Sequence, residues 1–194
     1  MKNLKIALLM LVAVVFIMPS CKKGENDPFL SLKSRKGRIC GEWTLKEGTL
    51  TSTNGGQTAT MTFNGTTCTY TQSGQSQTVA YIEKITIEKD GTFEYVITEG
   101  TDITTYKGGW YFGRKNKELE IKNKETLCLA YNSAVEVSNG TTSTYSYTGT
   151  SAIDGPMVIQ IDMLKGKEMT ILIDGSSTYP NGSSTHKGTL TYEQ

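Results

Sequence analysis

The chain has very little histidine, the residue that enzymes most often use for general acid–base catalysis, and little proline. It contains one histidine, His186, and four prolines among 194 residues. A Ser–His–Asp triad would have to use His186, yet no serine lies in a Gly-x-Ser-x-Gly sequence. No phosphate loop or dinucleotide fingerprint is present either. His186 lies in a stretch rich in Gly, Ser and Thr, so we predict a histidine in a surface loop and a protein without enzymatic activity.

Metal-ligand spacings and a strong net charge are also missing. No Cys-x-x-Cys occurs, and no His, Asp or Glu cluster has ligand spacing. Glu118 and Glu120 would share one face of a strand, but they alternate with Leu119 and Ile121, which is typical of a solvated face. At a formal charge of +1 neither sign dominates, whereas nucleic acid calls for a strongly basic protein face. We therefore expect no metal, no cofactor and no nucleic-acid partner.

The amino terminus has the features of a secretory signal. Lys2 and Lys5 precede an apolar run, residues 6–18, that ends at Pro19-Ser20-Cys21. A run of this length is too short to span a bilayer, which takes about 20 residues, and it suits the apolar region of a signal peptide. Cys21 after the small residue Ser20 resembles the lipobox of bacterial lipoproteins. An ordinary secretory signal and an uncleaved anchor remain as alternatives.

The lipobox resemblance implies how the chain is divided and where it is located. Residues 1–20 would be a lipoprotein signal peptide, Cys21 the lipid attachment site and residues 21–27 a lipidated tether. The protein would then be held in the bacterial cell envelope by its lipid at the outer membrane, facing the periplasm or exposed at the surface. Residues 28–194 would form one domain, which is the default for a chain of this size.

A short helix is predicted at the start of the domain. Asp27 suits the N-cap, Pro28 the first helical position and Gly37 the end of the helix. The basic residues that follow Pro28 complement the helix dipole or, alternatively, contact anionic lipid headgroups beside the anchor; they are Lys33, Arg35, Lys36 and Arg38.

Three cysteines remain if Cys21 is acylated, namely Cys40, Cys68 and Cys128. An odd number does not form a complete disulfide framework. One disulfide with a free thiol and three free thiols are both open from the sequence.

From Gly41 onward the pattern is that of short antiparallel strands. Apolar and polar residues alternate through segments such as 84–88 and 92–98, and turn signals such as Asn54-Gly55, Asn64-Gly65 and Asp90-Gly91 separate them. Successive hairpins favour an all-β, up-and-down antiparallel barrel of about eight or more strands, because closure removes exposed edges. An immunoglobulin-like β-sandwich is the alternative.

Gly41-Glu42-Trp43, which opens the first strand after a short helix, resembles the Gly-x-Trp motif of the lipocalin superfamily. Segments 85–97, 108–112 and 159–174 are similar to lipocalin-like domains of bacterial lipoproteins. The resemblance implies that Gly41 and Trp43 are structural, with Trp43 packed across the closed end of the barrel beneath the helix. The last strand lacks the arginine that stacks on this Trp in the family, and Arg35 or Arg38 is the expected substitute.

Three functions fit a barrel of this kind. In the first, the barrel binds a small or hydrophobic ligand on an inner face lined by Phe93, Tyr95, Trp110 and Phe112, unless these residues simply fill a solid core. The second is a surface module that contacts protein or carbohydrate. Its aromatic residues would be Tyr131, Tyr145, Tyr147 and Tyr179. The third is a structural or inhibitory envelope protein that inserts projecting hairpins, residues 50–78 and 132–152, into a partner protein.

Replacing the proposed acylation site tests the anchor. Cys21→Ala removes the only thiol at the cut, so we expect the precursor to stay unprocessed and unlabelled by fatty acid. The measurement is metabolic labelling with a fatty acid, followed by electrophoretic separation of precursor and mature chain. Cys40→Ala, a change outside the motif, is the control. Equal labelling of the Cys21→Ala chain would contradict the assignment.

Overall fold

The computed structural model describes residues 27, 33–118, 121, 125–147, 157–179 and 182–194. One short helix, α1, spans Arg35–Ile39. Eleven strands follow in the described part of the chain. They are β1 (Gly41–Asn54), β2 (Gln57–Phe63), β3 (Thr67–Gln72), β4 (Gln75–Ile87), β5 (Thr92–Glu99), β6 (Asp102–Phe112), β7 (Thr126–Ser138), β8 (Thr141–Ser146), β9 (Met157–Leu164), β10 (Glu168–Tyr179) and β11 (Gly182–Glu193).

Ten of these strands form one closed antiparallel barrel, and β8 extends the sheet from β7. The barrel confirms the predicted fold class. The sheet order is β6-β5-β4-β3-β2-β1-β11-β10-β9-β7-β8, and pairing of β6 with β7 closes it. At one end β1 pairs directly with β4, from Gly41↔Ile87 to Thr44↔Lys84, so β2 and β3 are absent from the ring there. Toward the other end the β2–β3 hairpin is inserted between β1 and β4. Pairing between neighbours along the chain excludes the β-sandwich.

The two ends of the barrel differ because of this insertion. The end where β1 pairs with β4 has a ring of eight strands, and we call it the closed end. We call the opposite end, which carries the β1–β2, β3–β4, β5–β6 and β7–β8 turns, the mouth. The β2–β3 hairpin belongs to the barrel wall, since Phe63 and Cys68 are buried in the core. The prediction that residues 50–78 project from the core is therefore wrong.

The helix and the first strand cover the closed end. Trp43 is fully buried, and its indole Nε1 donates a hydrogen bond to the Ile39 carbonyl at 2.7 Å. Gly41 has φ +144°, and a Cβ atom there would lie 2.5 Å from the Gln194 side-chain amide. Only glycine accommodates both the backbone angle and this contact. The chain therefore passes from α1 into β1 directly above the core.

A buried ionic cluster lies beside Trp43 and ties the chain to the closed end. The Asp27 carboxylate accepts hydrogen bonds from the Leu164 backbone N–H at 2.8 Å, from Arg38 Nη2 at 3.1 Å and from Arg35. Asp27, Arg35 and Arg38 are each 4% exposed. Burial lowers the pKa of Arg35, and the Asp27 charge opposes that shift. Both arginines are thus used inside the protein and are not available to lipid headgroups.

The described helix begins later than the predicted one, whose first turn lies outside the described residues. The N-cap of α1 is Ser34, whose Oγ accepts a hydrogen bond from the Gly37 N–H at 3.0 Å. Gly37 lies inside the helix rather than at its end. The Asp27 carboxylate contacts the two buried guanidinium groups of Arg35 and Arg38. The predicted first helical residue, Pro28, lies outside the described residues, as does Cys21.

The cysteines of the domain form no disulfide. Cys68 and Cys128 are buried, and Cys40 is half-buried. Burial raises the pKa of all three thiols, so they stay protonated at neutral pH. Of the two alternatives left by the sequence, the structure has three free thiols.

Removing the central carboxylate of the ionic cluster should be strongly destabilising. Asp27→Ala leaves two buried guanidinium groups without the carboxylate that both contact, while Glu125 still favours the charged form of Arg35. We expect a loss of about 3–5 kcal/mol in unfolding free energy. Urea denaturation measures it. The control is Asp174→Ala, which breaks an exposed pair with Lys187 and should cost less than about 0.5 kcal/mol. Similar losses in the two variants would contradict this account.

Candidate ligand-binding site

The inner face of the barrel is apolar and fully packed near the closed end. The largest side chains of this floor are each less than 2% exposed; they include Ile85, Ile87, Leu127, Leu129, Ile161 and Met169. The floor follows from strict alternation, since every second residue of each strand points inward. It leaves no room for a ligand among these side chains.

Two of the four aromatic residues predicted to line a pocket belong to the closed end. Trp110 is 8% exposed, and its indole Nε1 donates to the Glu88 carbonyl at 2.7 Å. Phe112 packs edge-on against Trp110, with ring centroids 5.5 Å apart, and the Lys36 ammonium lies 5.6 Å from the Trp110 ring centroid. Their position favours a structural role for Trp110 and Phe112.

Above the floor lies a buried carboxylate that the sequence analysis missed. Glu83 on β4 is 4% exposed. Tyr81 donates a hydrogen bond to its Oε2 at 2.8 Å, and Tyr192 donates to its Oε1. Tyr95 lies near enough for burial and the Glu83 charge to raise its pKa. No described lysine or arginine forms an ion pair with Glu83. The sequence does indicate its inward position, because Glu83 lies two residues before the apolar Ile85 and therefore on the same face of the strand.

The three hydroxyl groups around Glu83 are strongly held in their protonated form. Burial, followed by the nearby Glu83 carboxylate, raises the pKa of Tyr81, Tyr95 and Tyr192 well above the usual value of a tyrosine. A protonated hydroxyl donates to the carboxylate, whereas a phenolate would repel it. The cluster therefore holds one acidic group in the interior by hydrogen bonds from neutral donors.

A row of aromatic rings continues from this cluster toward β7. Tyr95 stacks on Tyr106 with centroids 5.9 Å apart, Tyr106 contacts Tyr131 at 5.0 Å, and Tyr131 contacts Phe93 at 5.7 Å. Burial raises the pKa of Tyr131 to about 12. Phe93 and Tyr95, the other two predicted pocket residues, thus lie on the inner face, but both are buried.

The mouth contains a partly enclosed cleft of about 270 Å³. It lies on the inner side of β1, β2 and β3 and is lined by Ser52, Asn54, Gln57, Ala59, Tyr70 and Gln72. Tyr70 donates a hydrogen bond to Gln72 Oε1 at 2.8 Å, and the Gln72 amide lies 3.4 Å from Gln57 Oε1. No lining residue carries a charge. The cleft offers amide and hydroxyl groups beside one tyrosine ring that is 40% exposed.

His186 also lies near this part of the barrel, which corrects the prediction of a surface loop. It belongs to β11 and pairs with Ser52 on one side and Gly175 on the other. It has the same inward parity as Leu190 and Tyr192, and it is half-buried. A stretch of small polar residues forms a strand here because two neighbouring strands supply its backbone hydrogen bonds.

The opposite side of the mouth carries exposed aromatic side chains. Tyr145 on β8 and Tyr147 just after it are 45% and 40% exposed. The backbone N–H of Tyr147 donates to the Asn132 carbonyl at 2.8 Å, which holds this segment against β7. Tyr131, predicted as a surface aromatic, is instead part of the inner row, and the side chain of Tyr179 lies outside the described side chains.

A larger depression, of about 480 Å³, lies on the barrel wall across β1 and β11. Threonines line most of it, with Lys187 at its edge. It is shallow and open to solvent, so it lacks the enclosure that ligand sites usually have. The cleft at the mouth is the better candidate.

Three further observations bear on the site. Among the described residues no group of three or more His, Cys, Asp or Glu side chains is arranged to hold a metal ion. The described segments include no helix with the length and apolar character needed to cross a membrane. In comparisons with known proteins, no family model matches the chain and no curated protein is significantly similar to it.

The buried tyrosines predict a specific loss of stability in alkali. Their folded pKa values are raised, so the folded protein keeps protons that the unfolded chain releases above about pH 10. Stability is therefore fully present below pH 10 and falls as the pH rises toward the folded values, about 12 for Tyr131. The near-ultraviolet circular dichroism and the part of the tyrosinate absorbance that comes from the buried tyrosines should change together, in one transition in this window. Complete ionisation near pH 10 with an intact fold would contradict the prediction.

Proposed function

We propose that this protein is a lipid-anchored, non-enzymatic binding protein of the bacterial cell envelope that takes a small, uncharged polar ligand at its barrel mouth. The observation that carries the proposal is the cleft of about 270 Å³ lined by neutral polar side chains. The lipid attachment at Cys21 and the envelope location rest on the lipobox resemblance alone.

The lining chemistry favours a ligand with several hydroxyl groups, such as one or two sugar units. Side-chain amides of Asn54, Gln57 and Gln72 both donate and accept hydrogen bonds, as hydroxyl groups of a ligand require. Tyr70 adds an apolar ring face with a polar edge. The cleft volume of about 270 Å³ lies just below the usual range for ligand pockets, about 300–1,000 Å³, so only a small ligand fits.

Packing argues against a large hydrophobic ligand held deep in the barrel. The floor residues Leu127, Leu129 and Ile161 are at most 1% exposed, and Tyr192 above them is equally buried. A deep ligand would have to displace these side chains and break hydrogen bonds to Glu83. The mouth accepts a ligand without such rearrangement, so a polar ligand is the better supported of the two.

A second candidate, contact with an extended glycan or a protein surface, is favoured by the exposed Tyr145 and Tyr147. Aromatic side chains that keep a polar hydroxyl in water suit both partners. This candidate differs from the first because it places the contacts on β8 and the residues after it. Variants on the two sides of the mouth therefore distinguish the two.

The test is native mass spectrometry of the protein purified under mild conditions from its own envelope. We expect a discrete added mass that is lost on denaturation, and titration with a panel of mono- and disaccharides should show saturable binding. Gln57→Ala/Gln72→Ala removes two hydrogen-bonding amides, and each is worth about tenfold or less in affinity. Thr58→Ala/Thr71→Ala, outward changes on the same strands, should leave binding unaltered.

Two results would contradict the proposal. The first is a bare protein mass together with no saturable binding of any saccharide. The second is binding that the inward and outward double variants reduce equally. Loss of binding only in Tyr145→Ala/Tyr147→Ala would transfer the function to the second candidate.

A further inference from the structure

Exposed positive charge is concentrated at the closed end of the barrel. The loops and helix there carry six exposed cations that form no ion pair with a described carboxylate: Lys36, Lys89, Arg114, Lys115, Lys117 and Lys167. We call them the basic end. The described acidic residues in the same loops are Glu88, Asp90, Glu118, Glu125 and Glu168. Glu125 is buried, and Glu168 is already paired with Lys165 at 3.7 Å.

The rest of the described barrel has a different charge pattern. Lysines on the wall are each paired with a carboxylate across adjacent strands; they are Lys46, Lys84, Lys107 and Lys187. In the described turns at the mouth the charged residues are both acidic, Glu99 and Asp102. These turns are residues 54–57, 72–75, 99–102 and 138–141. The barrel therefore has one basic end and one end without exposed cations in its described turns.

The same end receives the chain from the amino terminus. Asp27 is fixed there by the Leu164 backbone N–H and by two buried arginines. Only six residue steps separate Asp27 from Cys21, a reach of about 20 Å when fully extended, and Lys22 and Lys23 lie on the way. A lipid on Cys21 therefore holds the closed end, and not the mouth, next to a membrane.

We propose that the basic end docks on an anionic lipid surface, so that the mouth and its cleft face away from the membrane. Two observations favour an anionic membrane over other partners. The cations of the basic end complement anionic headgroups, and the short tether from Cys21 holds this end beside the membrane. Each lysine or arginine near an anionic bilayer contributes roughly fivefold in membrane affinity, and the effect is lost within a Debye length. The orientation rests on the anchor proposed above. The docking surface is tested separately, by the reactivity of its lysines on vesicles.

The experiment uses the full protein purified from membranes and reconstituted on vesicles. One set contains phosphatidylcholine alone, and the other a mixture of phosphatidylcholine and phosphatidylglycerol. Amine acetylation followed by mass spectrometry reports the reactivity of each lysine. We expect Lys36, Lys89 and Lys167 to react several-fold more slowly on the anionic vesicles, and the wall lysines Lys107 and Lys187 to react equally on both. High salt should remove the protection.

A matched pair of variants separates docking from the anchor. Lys115→Glu/Lys117→Glu should abolish the protection of Lys36, Lys89 and Lys167, whereas Lys107→Glu/Lys187→Glu, with the same change of charge on the wall, should retain it. Equal reactivity of all lysines on both vesicles, with the protein still floating with them, would overturn the docking surface and leave the anchor intact. Failure to float on phosphatidylcholine vesicles would overturn the anchor instead.

Discussion

Direct pairing of β1 with β4 is the constraint on which the rest of the structure depends. It closes an eight-stranded ring at one end, although ten strands of the described chain are available to the wall. A narrow ring is filled by its own side chains, and Trp43 and the Asp27 cluster cover it from outside. The β2–β3 hairpin then widens the ring only toward the mouth. The packed floor at one end and the wider mouth at the other both follow from where that hairpin is inserted.

The interior changes from apolar to polar along the barrel axis as a consequence. Ile85 and Leu129 form the dry floor, Glu83 and its tyrosines form a hydrogen-bonded layer above it, and Gln57 and Gln72 line the mouth. A buried carboxylate without a counter-charge is costly unless its oxygens are fully hydrogen-bonded. Tyr81 and Tyr192 each donate to one of the two carboxylate oxygens here, so both oxygens are hydrogen-bonded while the cleft above remains open to solvent.

Alternation and turn residues were enough to predict the barrel, because inward parity and Asn-Gly turns are local signals. Trp43 and Gly41 likewise lie at the closed end. The positions of the buried polar residues and of the pocket aromatics depend on tertiary contacts, which local sequence patterns do not reveal. Asp27 was read as a helix cap, but buried arginines distant in the fold recruit it. Glu83 and His186 occupy strand positions whose side chains point inward, but a polar residue in an alternating pattern is normally assigned to the solvent face. Trp110 and Phe112 are aromatic and inward, but alternation does not tell which end of the barrel they occupy.

Residue-resolved hydrogen exchange of the backbone amides tests the central claim, that the barrel has a rigid closed end and a more openable mouth. The account predicts the slowest exchange, near the global unfolding free energy, at residues 42–45, 84–87 and 127–129. Amides of β2 and β3 should exchange faster through local opening. Equal protection throughout the barrel, or faster exchange at the closed end than in the β2–β3 hairpin, would contradict it.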